Sequence, residues 1–279
     1  MIRPLIHAFV LLCALATTAP AVMAKSPSSP QSLSRPIEIL VPAYFYPLPD
    51  STEWPRLAEA ARLVPLVAIL NPGSGPGVGP DANYQRVVDQ VRAAGGKVIG
   101  YVHTSWGQRR MEEVVGDIDR YLQWYPVDGF FIDEMANQND SALYLYYQAV
   151  YNYAKAMLPG ARVIGSPGTS TVQTYLTLPT ADELVIFEGD QHSHENHYSQ
   201  PDWVAGVPSR PFAHLVVQAH SAADMHRSIA RAVQRNAGLV YVTNDGGANP
   251  WVNPWDSLPK YWTAEVQCVR RVNQGKPCQ

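Results

Sequence analysis

The chain has 279 residues, enough for one large α/β domain or two small ones, and 46% of them are hydrophobic, which allows a sizeable core. A net charge of −3 with no basic block excludes nucleic acid as the main partner. Only 16% of residues are charged while Pro (24) and Tyr (15) are plentiful, a composition that suits an exported protein handling neutral ligands.

The chain opens with Arg3, an apolar core from Leu5 to Ala16 that is too short to span a bilayer, and the small-residue site Val22-Met23-Ala24. This reads as a signal peptide over residues 1–24, cleaved after Ala24. Cys13 follows Leu11-Leu12 rather than a small residue, which weakens a lipoprotein reading. Residues 25–36 are a Ser/Pro-rich linker. No later stretch is long and apolar enough for a membrane helix, so a secreted or periplasmic protein without membrane contact is expected. Its two remaining cysteines, Cys268 and Cys278, read as one disulfide tying the tail to the last helix, with two separate thiols as the alternative.

From residue 37 the chain alternates apolar runs with amphipathic stretches. Ile37 to Val41 is the first run and ends in Pro42-Ala43-Tyr44-Phe45-Tyr46-Pro47; residues 53–63 are helical. Leu66 to Leu70 is the second and stops at Asn71-Pro72-Gly73. Over 81–95, Tyr84, Val87, Val88 and Val91 share one helix face, and Gly95-Gly96 ends it. Val98 to Val102 closes on His103-Thr104, and 111–124 is the next helix. Val127 to Ile132, ending in Asp133-Glu134, is short, apolar and bounded by Pro126, which marks a buried strand. A long helix covers 141–157. Arg162 to Gly165, Glu183 to Phe187, Phe212 to Gln218 and Leu239 to Thr243 are the remaining strands, with helices at 222–236 and about 259–273. Eight strand-then-helix units predict a single-domain (β/α)8 TIM barrel over 37–279. A doubly wound sheet would show a Gly-rich turn after its first strand, and Pro42 to Pro47 holds no glycine.

Such barrels carry their chemistry at the strand carboxyl ends. Those ends hold Asp133, Glu134 and Glu188, while the opposite ends hold mostly Pro, Gly and Arg. Glycoside hydrolysis needs one carboxylic acid to protonate the leaving oxygen and one carboxylate to attack or to activate water. Adjacent strand residues face opposite ways, so one of Asp133 and Glu134 is the working acid and the other its support. The bland alternative for either is a helix N-cap or first-turn acid. Glu188 has apolar neighbours that raise its pKa, as a general acid requires; an ion pair with Arg109 or a helix cap is its alternative. Tyr44, Asn71, His103, Trp106, Gln218, Asn244 and Asp245 share the rim and are the expected substrate contacts.

Gly73-Ser74-Gly75-Pro76-Gly77 lacks the ending of a phosphate loop and reads as a shaped rim loop. His194-Glu195-Asn196-His197 is one residue short of zinc-protease spacing, so His192 to His197 is expected to be an exposed polar loop beside the cleft. No metal and no cofactor is expected. Asn249-Pro250-Trp251 and Pro254-Trp255 form either a sugar platform or a cap packed on the barrel.

Several segments occur together in order: Val41-Pro42-Ala43-Tyr44-Phe45-Tyr46-Pro47, Leu70-Asn71-Pro72-Gly73, Gly100-Tyr101-Val102-His103-Thr104-Ser105-Trp106-Gly107-Gln108-Arg109, Asp128-Gly129-Phe130-Phe131-Ile132-Asp133-Glu134, Ser166-Pro167-Gly168-Thr169 and Val185-Ile186-Phe187-Glu188. Over about residues 38–245 the chain resembles the Spherulin 4 family. The resemblance implies a (β/α)8 barrel and a glycoside hydrolase that cuts α-1,4-linked galactosamine/N-acetylgalactosamine polymers, such as the biofilm-matrix polymer galactosaminogalactan, internally and with retention. It places the family's acidic cluster on Asp133, Glu134 and Glu188. The chain has Ser166 where the family often has Asn, and Trp106 where it often has Tyr. The sequence thus predicts a monomeric, endo-acting glycosidase with a polysaccharide partner: Asp133 as nucleophile or its electrostatic substitute, Glu188 as acid/base, Glu134 in support. Reversed roles for Asp133 and Glu188, and a carbohydrate-binding or cell-surface structural protein without turnover, are the alternatives.

Overall fold

The computed structural model describes residues 36–208, 210–247 and 253–278. The expected signal peptide, nearly all of the linker, and Asn249, Pro250 and Trp251 lie outside the described residues. Eight parallel strands close into a barrel in sequence order. They are β1 (Glu38–Ala43), β2 (Leu66–Leu70), β3 (Lys97–His103), β4 (Gly129–Asp133), β5 (Arg162–Gly165), β6 (Glu183–Asp190), β7 (Phe212–Val217) and β8 (Leu239–Val242). The larger helices of the outer ring are α1 (Glu53–Ala61), α2 (Ala82–Ala93), α3 (Met111–Trp124), α4 (Ser141–Met157), α8 (Ala222–Gln234) and α9 (Trp262–Asn273). Short helices α5 (Thr174–Thr177), α6 (Gln191–Asn196) and α7 (Asp202–Ala205) decorate the loops around β6. Every described residue belongs to one compact unit.

The strands are buried on both faces because helices cover the outside and side chains fill the inside. Ile39 to Val41, Val67 to Leu70 and Phe130 to Ile132 are sealed from solvent. Three of the larger helices, α2, α4 and α8, start where short polar side chains satisfy first-turn amides. Asp81 accepts from Asn83 N–H, Asp140 from Ala142 N–H, and Ser221 with Asp224 forms a reciprocal capping box. Tyr84, Val87, Val88 and Val91 form the buried face of α2, as their spacing predicts.

Three boundaries differ from the sequence reading. β4 begins at Gly129, not Val127, because Asp128 turns aside to take Arg92, Lys97 and the Val98 N–H. β6 runs past Glu188 to Asp190, with a register shift between Val185 and Phe187. The last helix begins at Trp262 rather than near 259. Cys268 and Cys278 form the expected disulfide. Asn273, at the end of α9, bonds both backbone groups of Ile37.

Gly129 is required by a close approach. A Cβ there would lie 2.0 Å from the Arg162 carbonyl oxygen on β5. Gly129→Ala must push β4 and β5 apart, and we expect a loss of roughly 2–3 kcal/mol. Urea unfolding of the two proteins measures it; equal midpoints would show that the strands yield freely.

Candidate active site

Asp133 is the last residue of β4 and pairs in register with His103 at the tip of β3. Two residues below, Phe131 stacks on Tyr101 with ring centroids 6.3 Å apart, so the β3–β4 seam is aromatic up to the carboxyl. Burial raises the pKa of Asp133; the Tyr101 hydroxyl directed at it and the Glu134 N–H work against that rise. Ser166 also lies within electrostatic reach, but its buried hydroxyl makes no hydrogen bond of good geometry.

Glu188 sits near the upper end of β6, and its N–H donates to the Gly168 carbonyl at 2.8 Å. Gly168 has φ +65°, and a side chain there would enter the space beside the Glu188 carboxyl, whose Oε2 lies 3.6 Å from the position of a Cβ. Glu188 is an exposed residue, yet the protein around its carboxyl removes part of the hydration that would stabilise the charge. That loss, together with the negative charge of Asp133, pushes its pKa up to about 7. Its expected alternative partner is engaged elsewhere: Arg109 pairs with Asp117 at 2.6 Å and with Glu113 at 3.7 Å.

Tyr44 directly follows β1, and its ring meets Tyr101 edge-on at 5.7 Å. Burial, then the charge of Asp133, raises both hydroxyls well above the ordinary tyrosine value, and Glu188 adds to each. Both therefore stay protonated and can donate at any working pH. The seam thus brings Tyr44, Tyr101, Asp133 and Glu188 into one electrostatic unit. Tyr101 escapes a reading of strand tips because it lies inside β3; the signal for it is its two-residue spacing from His103, which puts both on one face.

Glu134 does not continue the strand. It takes the left-handed conformation at φ 49°, as do Ser105 at 48° and Trp106 at 54°. Each such non-glycine residue costs of order 1–3 kcal/mol and persists only where surrounding contacts hold it. The other rim residues are more local. Asn71 accepts the Gly75 N–H at 3.0 Å and shapes the glycine-rich loop. His103 Nδ1 lies 3.1 Å from the Ser74 carbonyl and 3.4 Å from the Arg109 guanidinium, which also donates to the His103 carbonyl. Gln218 has φ 58° and donates its N–H to the Asp245 carbonyl. Asn244 accepts the Lys260 N–H at 2.7 Å, and Asp245 accepts the Gly246 N–H at 2.7 Å. Trp255 is a cap: it is buried, 5.9 Å from the Tyr241 ring, and its carbonyl accepts the Tyr44 N–H. Crevices between outer helices, such as one of about 100 Å³ between α1 and α9, lie away from the strand tips. Among the described residues no three His, Cys, Asp or Glu side chains stand together in a metal-holding group.

The histidine-rich segment is a helix rather than a loop; His192, Asn196 and His197 are exposed as its polarity predicts, but His194 is not. It forms α6, and His194 is fully buried with its Nε2 2.9 Å from Nδ1 of His214 on β7. Phe187 and Tyr198 wall the pair in, and Arg235 donates to the His194 and Tyr198 carbonyls. Polar residues four apart on a short helix hide this, because the partner His214 lies on another strand. Burial lowers both pKa values, that of His194 to about 3. An unfolded histidine titrates near 6.5, so on acidification the unfolded chain binds protons first. Stability should therefore fall from pH 6.5 downward until the folded pair itself titrates. Between pH 7 and 5 the loss from His194 alone is about 2 kcal/mol. Urea titrations at both values test this, and an H194Q/H214Q variant should lose the slope.

The fold and the site define a class, an eight-stranded α/β barrel with paired carboxyls at its strand tips. The model of the Spherulation-specific family 4 matches residues 38–269, and Spherulin-4 of Physarum polycephalum is 36% identical over 252 residues, 86% of this chain and 72% of that protein. The chain belongs to this family. Among solved structures, Aspergillus clavatus Sph3 in complex with GalNAc has a TM-score of 0.71 at 24% identity, covering 85% of this chain and 99% of that one. The endo-1,4-beta-mannanase from Rhizomucor miehei has a TM-score of 0.53 at 8% identity, over 87% of this chain and 95% of that one. Both share the barrel.

Proposed function

We propose that this protein is an endo-acting glycoside hydrolase that cleaves an α-1,4-linked galactosamine/N-acetylgalactosamine polysaccharide with retention. The observation that carries the reading is Glu188, poised near neutrality within electrostatic reach of Asp133 and paired with no cation among the described residues. In the first step Glu188 gives its proton to the glycosidic oxygen as that bond breaks, and the Asp133 carboxylate bonds to the anomeric carbon. In the second, water attacks that carbon, Glu188 takes its proton, and Asp133 leaves as the carboxylate. Tyr44 and Tyr101 stay protonated; the Tyr101 hydroxyl donates to the Asp133 carboxylate before it attacks and again as it leaves, while Tyr44 stands within its electrostatic reach. The GalNAc bound by the related Sph3 supports the sugar class. The disulfide supports work in an oxidising compartment, secreted or periplasmic.

The test is product sizing. The mature chain, incubated with galactosamine- and N-acetylgalactosamine-containing polymers, should shorten them to oligosaccharides, and Asp133→Asn should not. Polymers of unchanged length across the panel would overturn the reading.

A further inference from the structure

We infer that Glu134 is a positioning residue that builds an aromatic sugar platform, not a proton-transferring member of the acid cluster. This deepens the glycosidase reading above and rests on it for the ligand class. Its carboxylate Oε2 accepts the Ser105 N–H at 3.1 Å. Its carbonyl accepts the Trp106 N–H at 2.7 Å and the Thr104 hydroxyl at 2.9 Å. The same hydroxyl bonds the Asp133 carbonyl at 3.0 Å and meets the Tyr147 hydroxyl at 3.1 Å, and Tyr147 accepts the Ala136 N–H. One network thus ties the tip of β4 to the turn after β3.

What the network holds is an arrangement the chain would not adopt unaided. Ser105, Trp106 and Glu134 are all left-handed, and none is a glycine. The outcome is a Trp106 residue left 56% exposed. An exposed indole on a turn forced into shape by its neighbours points to a ligand that covers it. A galacto-configured ring fits: its axial 4-hydroxyl leaves the opposite face lined by C–H groups, which stack on an aromatic plane. Glu134 therefore acts through Trp106, on binding, while Asp133 next to it acts on the bond.

The experiment combines kinetics on a galactosamine/N-acetylgalactosamine polymer with amide hydrogen exchange at Ser105. Glu134→Gln keeps an oxygen for the Ser105 N–H, so it should recover most of the KM and of the slow exchange that Glu134→Ala loses. Glu134→Ala should raise KM roughly tenfold with kcat little changed, the factor one hydrogen bond to a charged group carries. It should also speed exchange at Ser105, which Asp133→Asn should leave unchanged. Trp106→Ala should raise KM alike, and E134A/W106A should be no worse than the poorer single variant. A Glu134→Gln enzyme as inactive as Asp133→Asn, or additive losses in the double variant, would overturn the inference. If the parent cleaves no polymer, the glycosidase reading fails while the exchange arm still decides the link between Glu134 and the turn.

Discussion

Glu188→Gln is expected to slow polymer cleavage roughly 10²–10⁴-fold, the loss that follows removal of a positioned acid–base group. The pH profile should identify its role. Glu188 donates only while protonated, so activity should fall as pH rises through about 7. Asp133 works only when ionised, and burial chiefly holds its pKa above the ordinary aspartate value of 3.8. The acid limb therefore lies above that value, and the optimum is mildly acidic. In Glu188→Gln the alkaline limb should vanish. An aryl glycoside of a short N-acetylgalactosamine oligomer adds a second discrimination. Its leaving group needs little protonic help, so Glu188→Gln should keep more of its rate there, while Asp133→Asn loses both substrates. The opposite pattern would exchange the two roles. Wild-type activity still climbing beyond about pH 8 would remove Glu188 as the donor.

The barrel was legible because each strand is a run of β-branched and aromatic residues with a polar stop, and each large helix carries one buried stripe. The carboxyls at the tips of β4 and β6 were legible for a related reason: acids at the end of an apolar run are expensive to bury. Contacts made across the chain were not legible. The pairing of His194 with His214 joins residues on different elements, and local polarity pointed the other way. The same holds for Arg109, which faces Asp117 on its own helix side rather than Glu188. The left-handed turns at Ser105, Trp106 and Glu134 leave no trace in composition, since none uses glycine.

Arg162→Leu is expected to destabilise the fold by about 3–5 kcal/mol, the loss when one partner of a buried ion pair is removed. Its guanidinium lies at the barrel floor, 2.6 Å from Glu183 and 2.7 Å from Glu38. It reaches both oxygens of each carboxylate. Burial alone would lower the pKa of Arg162, but Glu183 and then Glu38 outweigh it and raise it. Without the guanidinium each carboxylate loses a two-pronged cation that favours its ionised form, so what Arg162 contributes is full while the glutamates are ionised and fades as they protonate. The gap to wild type should accordingly narrow on acidification, which urea unfolding at two pH values measures. A constant gap would mean that Arg162 acts through packing alone. Below its unfolding temperature the variant should keep the wild-type pH–rate profile, since floor and mouth lie at opposite ends of the strands. The contrast locates the chemistry. At the floor each buried acid is matched by a cation and is spent on stability. At the mouth Arg109 is engaged by Asp117, no cation among the described residues pairs with Glu188, and this acid is raised to the pKa at which it can give up a proton.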